Sequence, residues 1–479
     1  MVLDPGEGLQ FRRVEGLDGI ASLYNDAHLS LSDRGTVLVT EFTGAQETDD
    51  ATAPENGPGA RLRICMLTTF YPPYNFGGDG IGVQRLAAGF ARRGHSVTVV
   101  HDADAYLALT GGVEPAPTTP TPGVDVVTLR SRLGIISPLL TQQFGRPVVH
   151  GQTLRALLGE GFDVTFFHNI SLVGGPALLR EGRGVTLYEA HEHWLVCQTH
   201  VLWRYGRELC DARDCVRCSL SYHRPPQLWR STGLLERGLD NVDAFIAKSA
   251  FSRDKHYEFG FSREMEVIPY FLPQDAAATG TSEASTSPHE RPFFLFVGRL
   301  EKIKGLDDVI PSFSGPDGPD LLIAGDGDYA QSLRTLAEGM PRVHFLGRVP
   351  GEQLRSYYEH ALALLVPSVC FETFGIILIE AFRQGTPVIA RRLGPFPEIV
   401  EAAGAGLLFE NRAELEAAIR ELSESPSRRD VLGQAGRAAF AERWSEEAVM
   451  PQYLELIRRM ASAKGEQSIV DALAGGGVA

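Results

Sequence analysis

The sequence contains no uninterrupted run of 18 apolar residues, and its first residues lack the basic and then apolar pattern of a secretion signal. Because a transmembrane helix needs about 20 apolar residues, no membrane-spanning segment is expected. Without a signal peptide, the chain is expected to work in the cytoplasm. Basic residues are also few, since 45 Lys and Arg stand against 60 Asp and Glu and the formal net charge is -15. This balance argues against a nucleic-acid partner, because binding to phosphates needs a basic surface.

The acidity is concentrated at the start of the chain. Residues 1–60 hold eleven Asp and Glu but only three Arg, and the segment 44–60 is polar and rich in turn-forming residues. Such a composition buries too little apolar surface to fold, so an acidic, disordered extension is predicted for residues 1–60. The whole chain of 479 residues, 43% hydrophobic and 22% charged, has the composition of a soluble globular enzyme and is long enough for two domains.

The rest of the chain alternates apolar runs with amphipathic patterns, in two successive blocks. The first block covers 61–273 and opens with "RLRICMLTTF", a run typical of a strand buried on both faces. A linker rich in Ser, Thr and Ala follows at 274–291, and the pattern restarts in the second block, 292–444. This alternation predicts an α/β fold with two doubly wound parallel sheets that face a common cleft. A helix at 445–463 is expected to return to the first domain, followed by a tail at 464–479.

The individual elements follow from the same patterns. Helices are predicted at 82–94, 148–160 and 413–424, and an apolar loop at 136–140. Strands are predicted at 61–70, 96–100, 124–129, 163–168, 184–190 and 242–249 in the first block, and at 293–300, 320–325, 343–347, 361–368, 387–391 and 406–410 in the second.

Two glycine-rich stretches are candidates for binding a dinucleotide, and neither supports a redox enzyme. The first loop, "NFGGDGIGVQR" (75–85), does not satisfy the G-x-G-x-x-G spacing, and its glycines come too late after the strand for a tight turn. Gly325, Gly327 and Ala330 fit G-x-G-x-x-A. However, the next strand, 343–349, does not end in the acidic residue that would bind the ribose.

Two basic residues follow the first strand of the second block. Arg299 and Lys304, in "VGRLEKIKG" (297–305), leave this strand at its carboxyl end, where ligands of doubly wound sheets bind. A guanidinium and an ammonium facing a cleft suit a diphosphate, because the first binds two oxygens at once and the second acts as a point charge. An isolated pair of this kind is usually a pair of solvated loop charges, so the assignment depends on neighbouring motifs.

The neighbouring motif is "CFETFGIILIEAFRQGTPVIA" (370–390), which contains Glu372 and Glu380. A helix is expected to start near Phe374, and its free N–H groups and dipole favour an anion that Gly375 would allow to approach closely. Glu380 lies about 9 Å further along the axis than Phe374, at roughly 1.5 Å per residue. A nucleotide-sugar fits this layout, with the diphosphate over the helix start, the sugar by Glu372 and the ribose by Glu380. The simpler alternative for Glu380 is an ion pair on a half-buried helix.

Four blocks, "GRLEKIKG", "IAGDGDY", "VHFLGRV" and "FETFGIILIEAFRQGTPVIA", occur in the order found in glycosyltransferase family 4, whose signature is a pair of glutamates spaced E-x7-E. The chain resembles this family of retaining nucleotide-sugar transferases over about residues 61–463. The resemblance implies the GT-B architecture, in which two Rossmann-like domains face an inter-domain cleft. It also implies that the first domain, 61–273, binds the acceptor and the second, 292–444, the nucleotide-sugar donor.

The resemblance implies roles for individual residues. Arg299 and Lys304 would hold the donor diphosphate, Glu380 the ribose and Glu372 a hydroxyl of the transferred sugar. His191, in "YEAHEHW" (188–194), matches the family's cleft histidine, although a glutamate follows it where aspartate is commoner. The implied catalytic residues are His191, Glu372, Arg299 and Lys304. The implied donor-binding residues are Gly77, Gly78, Gly298, Arg299, Lys304, Gly325, Gly327, Arg348, Val349, Glu372, Thr373, Phe374, Gly375, Ile376 and Glu380.

The implied activity is transfer of a sugar from a UDP- or GDP-sugar to a glycan, lipid or small-molecule acceptor, as in polysaccharide biosynthesis, with retention of the anomeric configuration. No metal cofactor is implied for catalysis, because the cations and the helix dipole neutralise the leaving diphosphate. Two alternatives remain. One is a related GT-B nucleotide-sugar epimerase, against which the intact pair of glutamates argues. The other is a catalytically silent nucleotide- or glycan-binding partner of another transferase.

Four of the six cysteines fall within 22 residues, in an insertion predicted at 193–235. In a reducing compartment such a cluster favours a metal over disulfides, and four thiolates suit a structural Zn²⁺, with a nearby histidine able to replace one of them. Unligated or redox-labile cysteines are the alternative. The candidate metal ligands are Cys197, Cys210, Cys215 and Cys218.

The same insertion is basic and aromatic. Residues 201–237 hold seven Arg against four Asp and Glu, with Trp and Tyr interspersed. Cations beside aromatic rings suit peripheral contact with the inner face of a membrane, or an anionic or glycan acceptor. A folded loop with a solvated face is the third interpretation.

Overall fold

The computed structural model describes residues 61–273 and 286–474. The predicted acidic extension 1–60, residues 274–285 of the predicted linker and the last five residues of the chain lie outside this part. Among the described helices, none is long and apolar enough to cross a membrane.

The first domain is built on seven parallel strands. Its strands are β1 (Arg63–Leu67), β2 (Ser96–Asp102), β3 (Val124–Leu129), β4 (Val164–Phe167), β5 (Val185–Ala190), β6 (Trp203–Arg204), β7 (Glu208–Leu209), β8 (Ala244–Ala247) and β9 (Met265–Val267). The sheet order is β3-β2-β1-β4-β5-β8-β9, and β6 and β7 form a separate antiparallel hairpin. The helices are α1 (Gly78–Arg92), α2 (Ala103–Leu109), α3 (Ile136–Phe144), α4 (Gly151–Leu158), α5 (Cys215–Ser221), α6 (Leu234–Leu239) and α7 (Ala250–Glu258).

The second domain repeats the plan with six parallel strands in the order β12-β11-β10-β13-β14-β15. These strands are β10 (Phe293–Val297), β11 (Asp320–Ala324), β12 (Val343–Gly347), β13 (Leu364–Val366), β14 (Val388–Arg391) and β15 (Gly406–Phe409). The helices are α8 (Leu306–Val309), α9 (Ala330–Leu336), α10 (Gly351–His360), α11 (Ile376–Gln384), α12 (Phe396–Ala403), α13 (Arg412–Glu424) and α14 (Pro426–Arg443). The predicted class, α/β with two doubly wound sheets, is confirmed.

Each sheet is covered by helices on both faces, and β1 shows why its sequence is apolar throughout. Successive side chains of a strand point to opposite faces. Ile64 and Met66 therefore pack with Phe90 of α1 in one core, whereas Cys65 and Leu67 pack in the core on the other face. A strand that is buried on both sides favours apolar residues at every position, unless a polar side chain has a buried partner, and this explains the apolar run in β1.

The last two helices, α15 (Glu446–Lys464) and α16 (Gln467–Ala474), follow the second domain in sequence and pack on the first. Met450 and Tyr453 of α15 belong to the core beside β1 and α1. At Gly89 of α1, an added Cβ would lie 2.9 Å from Sδ of Met450, so the two helices approach closely there. The first domain is therefore completed by a segment that is distant in sequence.

The structure differs from the sequence predictions in two details. The predicted tail 464–479 contains α16, because Ile469 and Ala472 recur at a helical spacing and are buried in the same core. The predicted apolar loop at 136–140 is the first part of α3. Its proline lies in the first turn of that helix, where a missing N–H costs nothing.

Candidate active site

The glycine-rich loop after β1 reaches the second domain. Gly77 is extended backbone and Gly78 opens α1. A Cβ added to Gly78 would lie 3.0 Å from Cδ1 of Ile376, the first residue of α11. Three of the predicted donor-binding residues are thereby brought together across the inter-domain cleft.

The loops after β10 and β11 cross in close contact at the carboxyl edge of the second sheet. A Cβ on Gly325 would lie 1.8 Å from the carbonyl oxygen of Gly298, and one on Gly327 would lie 2.5 Å from that of Leu300. Gly325 also has a φ of 149°, which other residues rarely adopt. Glycine is needed because two backbones pass each other here, directly before Arg299.

Lys304 and Glu372 form an ion pair in the loops at this edge. Lys304 Nζ lies 2.6 Å from Glu372 Oε1, and Ser368 Oγ donates to the same oxygen at 3.2 Å. Burial alone would raise the pKa of Glu372, but the Lys304 ammonium and the Ser368 hydroxyl outweigh it, and the pKa lies below its usual value. Arg299 is different, because its side chain is 55% exposed and pairs with Glu301 at 2.7 Å. Lys304 is therefore held by Glu372 of the E-x7-E motif, and Arg299 extends towards solvent.

Helix α11 begins at Ile376, two residues later than the predicted start near Phe374. The reason is Gly375, whose φ is 103° and whose Cβ, if present, would lie 2.9 Å from the Phe396 ring. The N–H groups that a helix start offers to an anion are therefore shifted along the chain. The N–H of Leu378 already donates to the Gly375 carbonyl at 3.0 Å.

The two residues before Gly375 join the domains. Thr373 Oγ1 donates to the carbonyl of His191 at 2.9 Å, and Ser249 Oγ donates to the carbonyl of Thr373 at 2.7 Å. The buried ring of Phe374 packs edge-on against Tyr270, with the ring centres 5.6 Å apart. Both side chains thus contact the first domain in this arrangement, and their predicted role in donor binding stays a prediction.

Glu380 is held by a cation from the opposite domain. Arg85 Nη2 of α1 lies 3.2 Å from Glu380 Oε1, and the Tyr358 hydroxyl donates to Oε2 at 3.0 Å. The simpler sequence interpretation, an ion pair on a half-buried helix, describes this arrangement. The pair also places Glu380 at the cleft, since its partner belongs to the first domain.

His191 follows β5, and both nitrogens of its ring are engaged. Nε2 lies 2.9 Å from His168 Nδ1, and Nδ1 is in hydrogen-bond contact with the Tyr270 hydroxyl. Burial lowers the pKa of His191 well below its usual value, so the ring is neutral at physiological pH. Its side chain therefore faces the interior of the first domain, while its carbonyl faces Thr373.

A buried ion pair lies beside His191. The side chains of Lys248 and Glu189 are 0% and 2% exposed and are in direct contact. Burial alone would raise the pKa of Glu189, but Lys248, together with His191 and His168, lowers it to about 2. Lys248 Nζ also donates to the Tyr453 hydroxyl at 2.7 Å, so α15 completes the network.

The other predicted donor residues lie after β12. Gly347 accepts a hydrogen bond from the N–H of Gly325 at 2.7 Å, which fixes this strand end beside the crossing loops. Arg348 is exposed, and Val349 is half-buried against the core of the second domain. The structure therefore places both near the same edge as Arg299.

Sequence reasoning missed three residues that connect the domains, Arg85, Ser249 and Glu398. The carboxylate of Glu398, on α12, accepts from the N–H groups of Ala250 and Phe251 at 3.0 Å each and so caps α7 of the first domain. Its partners lie 148 and 147 residues away in sequence, so no local pattern signals the contact. For Arg85 the available signal was a cation on the helix after the glycine-rich loop.

The four clustered cysteines occupy one small region, around β6, β7 and α5. Cys197 and Cys218 are buried, and Cys210 and Cys215 are half-buried. Burial and the neighbouring Cys197 raise the pKa of Cys210 to about 11, so the thiols are close enough to influence each other. In the described chain, three clusters gather at least three potential ligand atoms within 4.8 Å of one another, and these cysteines are not among them. Metal binding here stays a prediction.

Models of two protein families match the chain. The model described as Glycosyltransferase Family 4 matches residues 76–273, and the model described as Glycosyl transferases group 1 matches residues 280–439. Together they cover most of both domains.

Individual proteins are also similar. An uncharacterized glycosyltransferase of Methanocaldococcus jannaschii is 36% identical over 352 residues, which are 71% of this chain and 83% of that protein. A GDP-mannose-dependent alpha-(1-6)-phosphatidylinositol monomannoside mannosyltransferase of Mycobacterium tuberculosis is 28% identical over 249 residues. That match covers 47% of this chain and 64% of the mannosyltransferase, less than two thirds of its length.

The fold resembles solved structures as well. The crystal structure of HepE from Anabaena in complex with UDP and glucose aligns with a TM-score of 0.57 and 19% identity. The alignment covers 83% of this chain and 99% of that one. At this identity the likeness concerns the fold, including the arrangement of two domains around a cleft.

The buried pair beside His191 generates a stability prediction. Glu189→Gln or Lys248→Met is expected to lower the free energy of unfolding by about 3–5 kcal/mol, because each change leaves the partner's charge buried and uncompensated. The double variant is expected to recover part of this loss, since no unpaired charge remains. Urea denaturation of the parent and the three variants measures the coupling, and strictly additive losses would contradict the account.

Proposed function

Since the chain belongs to glycosyltransferase family 4 and has the GT-B fold, we propose that it transfers a hexose from a UDP- or GDP-sugar to a glycan, lipid or small-molecule acceptor. The observation that carries the proposal is the convergence of three elements at one cleft. These are the Gly77–Gly78 loop, the Lys304–Glu372 pair and the start of α11. The name of the mycobacterial relative supports a GDP-linked donor, and the ligands of HepE support a UDP-linked donor.

The donor diphosphate is placed between Arg299, Lys304 and the first N–H groups of α11. Two cations and a helix start compensate the charge that grows on the leaving diphosphate, so no divalent metal is needed for this step. Arg299 is exposed and able to reorient towards the phosphates, whereas Lys304 is already fixed by Glu372. Glu372 offers its second carboxylate oxygen to a hydroxyl of the sugar, since Lys304 and Ser368 both contact Oε1.

At the other end of the donor, Glu380 is assigned to the ribose hydroxyls. This binding requires the Arg85 guanidinium to give up one carboxylate oxygen, while Tyr358 keeps the other. The displaced guanidinium remains at the cleft, where an anionic donor is the natural new partner. Binding of the donor and rearrangement across the cleft are therefore linked.

The reaction breaks the bond between the anomeric carbon and the diphosphate oxygen, and the electron pair leaves with the diphosphate. The acceptor oxygen attacks from the same face, and its proton passes to the departing phosphate oxygen, which retains the anomeric configuration. His191 is assigned a positioning role, because both ring nitrogens are engaged within the first domain. Its contribution is the carbonyl that orients Thr373, next to Glu372.

The two other candidate functions differ in what they release. A catalytically silent binding partner would bind a nucleotide and release no nucleoside diphosphate, and an epimerase would need no acceptor for full turnover. The proposed transferase releases the nucleoside diphosphate, and an acceptor accelerates this release. A screen of UDP- and GDP-sugars with and without acceptor, with detection of both the released diphosphate and the epimerised donor, separates the three.

Single substitutions test the site. Arg299→Ala and Glu372→Gln are each expected to lower kcat by about 100-fold or more, because each removes a group that stabilises the transition state. Arg412→Ala is a matched control, since Arg412 is an exposed arginine of the same domain that pairs with Glu416. Turnover within twofold of the parent for both site variants would refute the site assignment.

For the cysteine region, we propose that the four thiols bind a structural metal ion such as Zn²⁺. The support is the placement of all four cysteines in one small subdomain, around β6, β7 and α5. Metal analysis of the purified protein is expected to give a bound ion that is lost in the Cys215→Ser and Cys218→Ser variants. A metal-free parent with full activity and unchanged thermal stability would refute the proposal.

We also propose that the first domain rests on the inner face of an anionic membrane. Exposed apolar residues belong to chain segments that hydrogen bonds join, since Trp229 Nε1 donates to the Gln142 carbonyl and Gln198 Oε1 accepts from Ser219 Oγ and from the N–H of Gln227. The same region carries three arginines whose guanidinium groups lie over the ring of Tyr205. The exposed apolar residues are Phe144, Val216, Leu220 and Leu228.

Vesicle sedimentation tests this contact. The protein is expected to pellet with vesicles that contain phosphatidylglycerol, and Leu220→Glu or Leu228→Glu should weaken pelleting at least tenfold by opposing the lipid charge. Val431→Glu, at an exposed apolar residue of the second domain, is the matched control. Equal pelleting of all four proteins, or none, would exclude this surface.

A further inference from the structure

Three chain segments meet at the amino-terminal edge of the second sheet, the edge opposite Arg299. His289 lies in the segment that leads into β10, Asp320 is the first residue of β11, and His344 lies in the edge strand β12. The N–H of Asp320 donates to the Pro292 carbonyl at 2.9 Å, which holds the first two segments together. The neighbouring pair Leu322 and His344 keeps β12 in register with β11.

The side chains of these three residues converge on one point. Nε2 of His289 lies 2.7 Å from Asp320 Oδ2, and Nε2 of His344 lies 3.2 Å from the same oxygen. The three atoms are all within 4.8 Å of one another. Two ligands at about 2.0–2.1 Å from a tetrahedral Zn²⁺ stand roughly 3.3 Å apart, so small movements of the side chains would admit an ion.

Arg291 supplies a positive charge beside Oδ1 of the buried Asp320, and a metal ion would supply one beside Oδ2. Asp320 is 2% exposed, and a buried carboxylate is costly unless its charge is compensated. Arg291 lies 3.4 Å from Oδ1 and leaves Oδ2 to the two imidazoles, which carry no charge when neutral. Oδ1 itself has no hydrogen-bond partner among the described residues.

We propose that His289, Asp320 and His344 form a binding site for a divalent transition-metal ion, with Zn²⁺ as the physiological candidate. Two imidazoles and one carboxylate suit Zn²⁺, Co²⁺ or Ni²⁺ and do not suit Mg²⁺, which prefers oxygen ligands and octahedral geometry. The three protein ligands leave one position for water. The side chains of His289 and His344 are 24% and 38% exposed, so a hydrated ion has access from solvent.

In the other two clusters of potential metal ligands, the ligand atoms already contact other groups of the protein. In the group His168, Glu189 and His191, the carboxylate holds Lys248, and both nitrogens of His191 have partners. In the group Asp102, Asp104 and His150, all three side chains are buried and Asp104 Oδ2 accepts from Ser131 N and Oγ. Neither offers an exposed route for an ion.

A metal at this edge would fasten the end of the inter-domain linker to the sheet. His289 lies near the end of the predicted linker, 274–291, whereas Asp320 and His344 belong to two strands of the sheet. The site lies at the opposite end of the strands from Arg299 and Lys304. It is therefore structural, and donor turnover is expected to be unaffected by its loss.

Cobalt binding to the full chain, after removal of metal with a chelator, tests the proposal. Nitrogen and oxygen ligands give Co²⁺ weak visible bands without the intense near-ultraviolet band of a thiolate complex, which separates this site from the cysteines. Binding at this site is expected to weaken by about 100-fold or more in His289→Gln and in His344→Gln. His360→Gln is the matched control, because His360 is a half-buried histidine of the same domain outside the cluster.

Zn²⁺ is expected to raise the melting temperature of the parent and of His360→Gln more than that of the two site variants. Donor turnover by the site variants is expected to stay within twofold of the parent, which keeps this test independent of the proposed activity. Equal Co²⁺ affinity in the parent and both site variants would overturn the proposal. A parent protein whose cobalt spectrum comes entirely from thiolate complexes would overturn it as well.

Discussion

The site depends on charge compensation of two carboxylates, each by a cation from a different element. Lys304 holds Glu372 within the second domain, and Arg85 holds Glu380 from the first domain. A carboxylate at a partly dry cleft without such a partner would take up a proton or draw in water. The first pair is independent of the domain arrangement. The second exists only when α1 lies against α11, so under the proposed assignment of the ribose to Glu380, domain closure and donor binding would compete for this carboxylate.

The contacts between the domains are of two kinds with different strengths. At the cleft many of them are hydrogen bonds, such as those of Thr373 and Glu398, and each contributes about 0.5–1.5 kcal/mol, somewhat more where a charge is involved. A nucleotide-sugar that makes several new hydrogen bonds can replace them. At α15 the contact is apolar, and burial of Met450 or Tyr453 contributes about 2–5 kcal/mol per side chain. An exchange of the cleft contacts would therefore leave the domains joined at α15.

The fold followed from the sequence because its strands are buried on both faces and many of them read as apolar runs, as β1 and β10 show. The start of α11 did not follow, because it is set by the positive φ of Gly375 and by the Phe396 ring that packs there. Arg85 was missed because its partner Glu380 lies 295 residues away. The cysteine spacing indicated clustering but could not fix where four sulfur atoms point, since that depends on a hairpin and a short helix.

The hydrogen-bond partners of the His191 ring could not be predicted from the sequence either. A motif identifies the residue, but the partners of its ring, His168 and Tyr270, come from the loops after β4 and β9, which only the folded sheet brings together.

The central claim is that the donor diphosphate lies between Arg299, Lys304 and the start of α11. A crystal structure with bound UDP-glucose or GDP-mannose measures this most directly. We predict phosphate oxygens within hydrogen-bond distance of both cations and a ribose hydroxyl on Glu380 in place of Arg85. A nucleotide bound elsewhere, with the Arg85–Glu380 pair intact, would contradict the account.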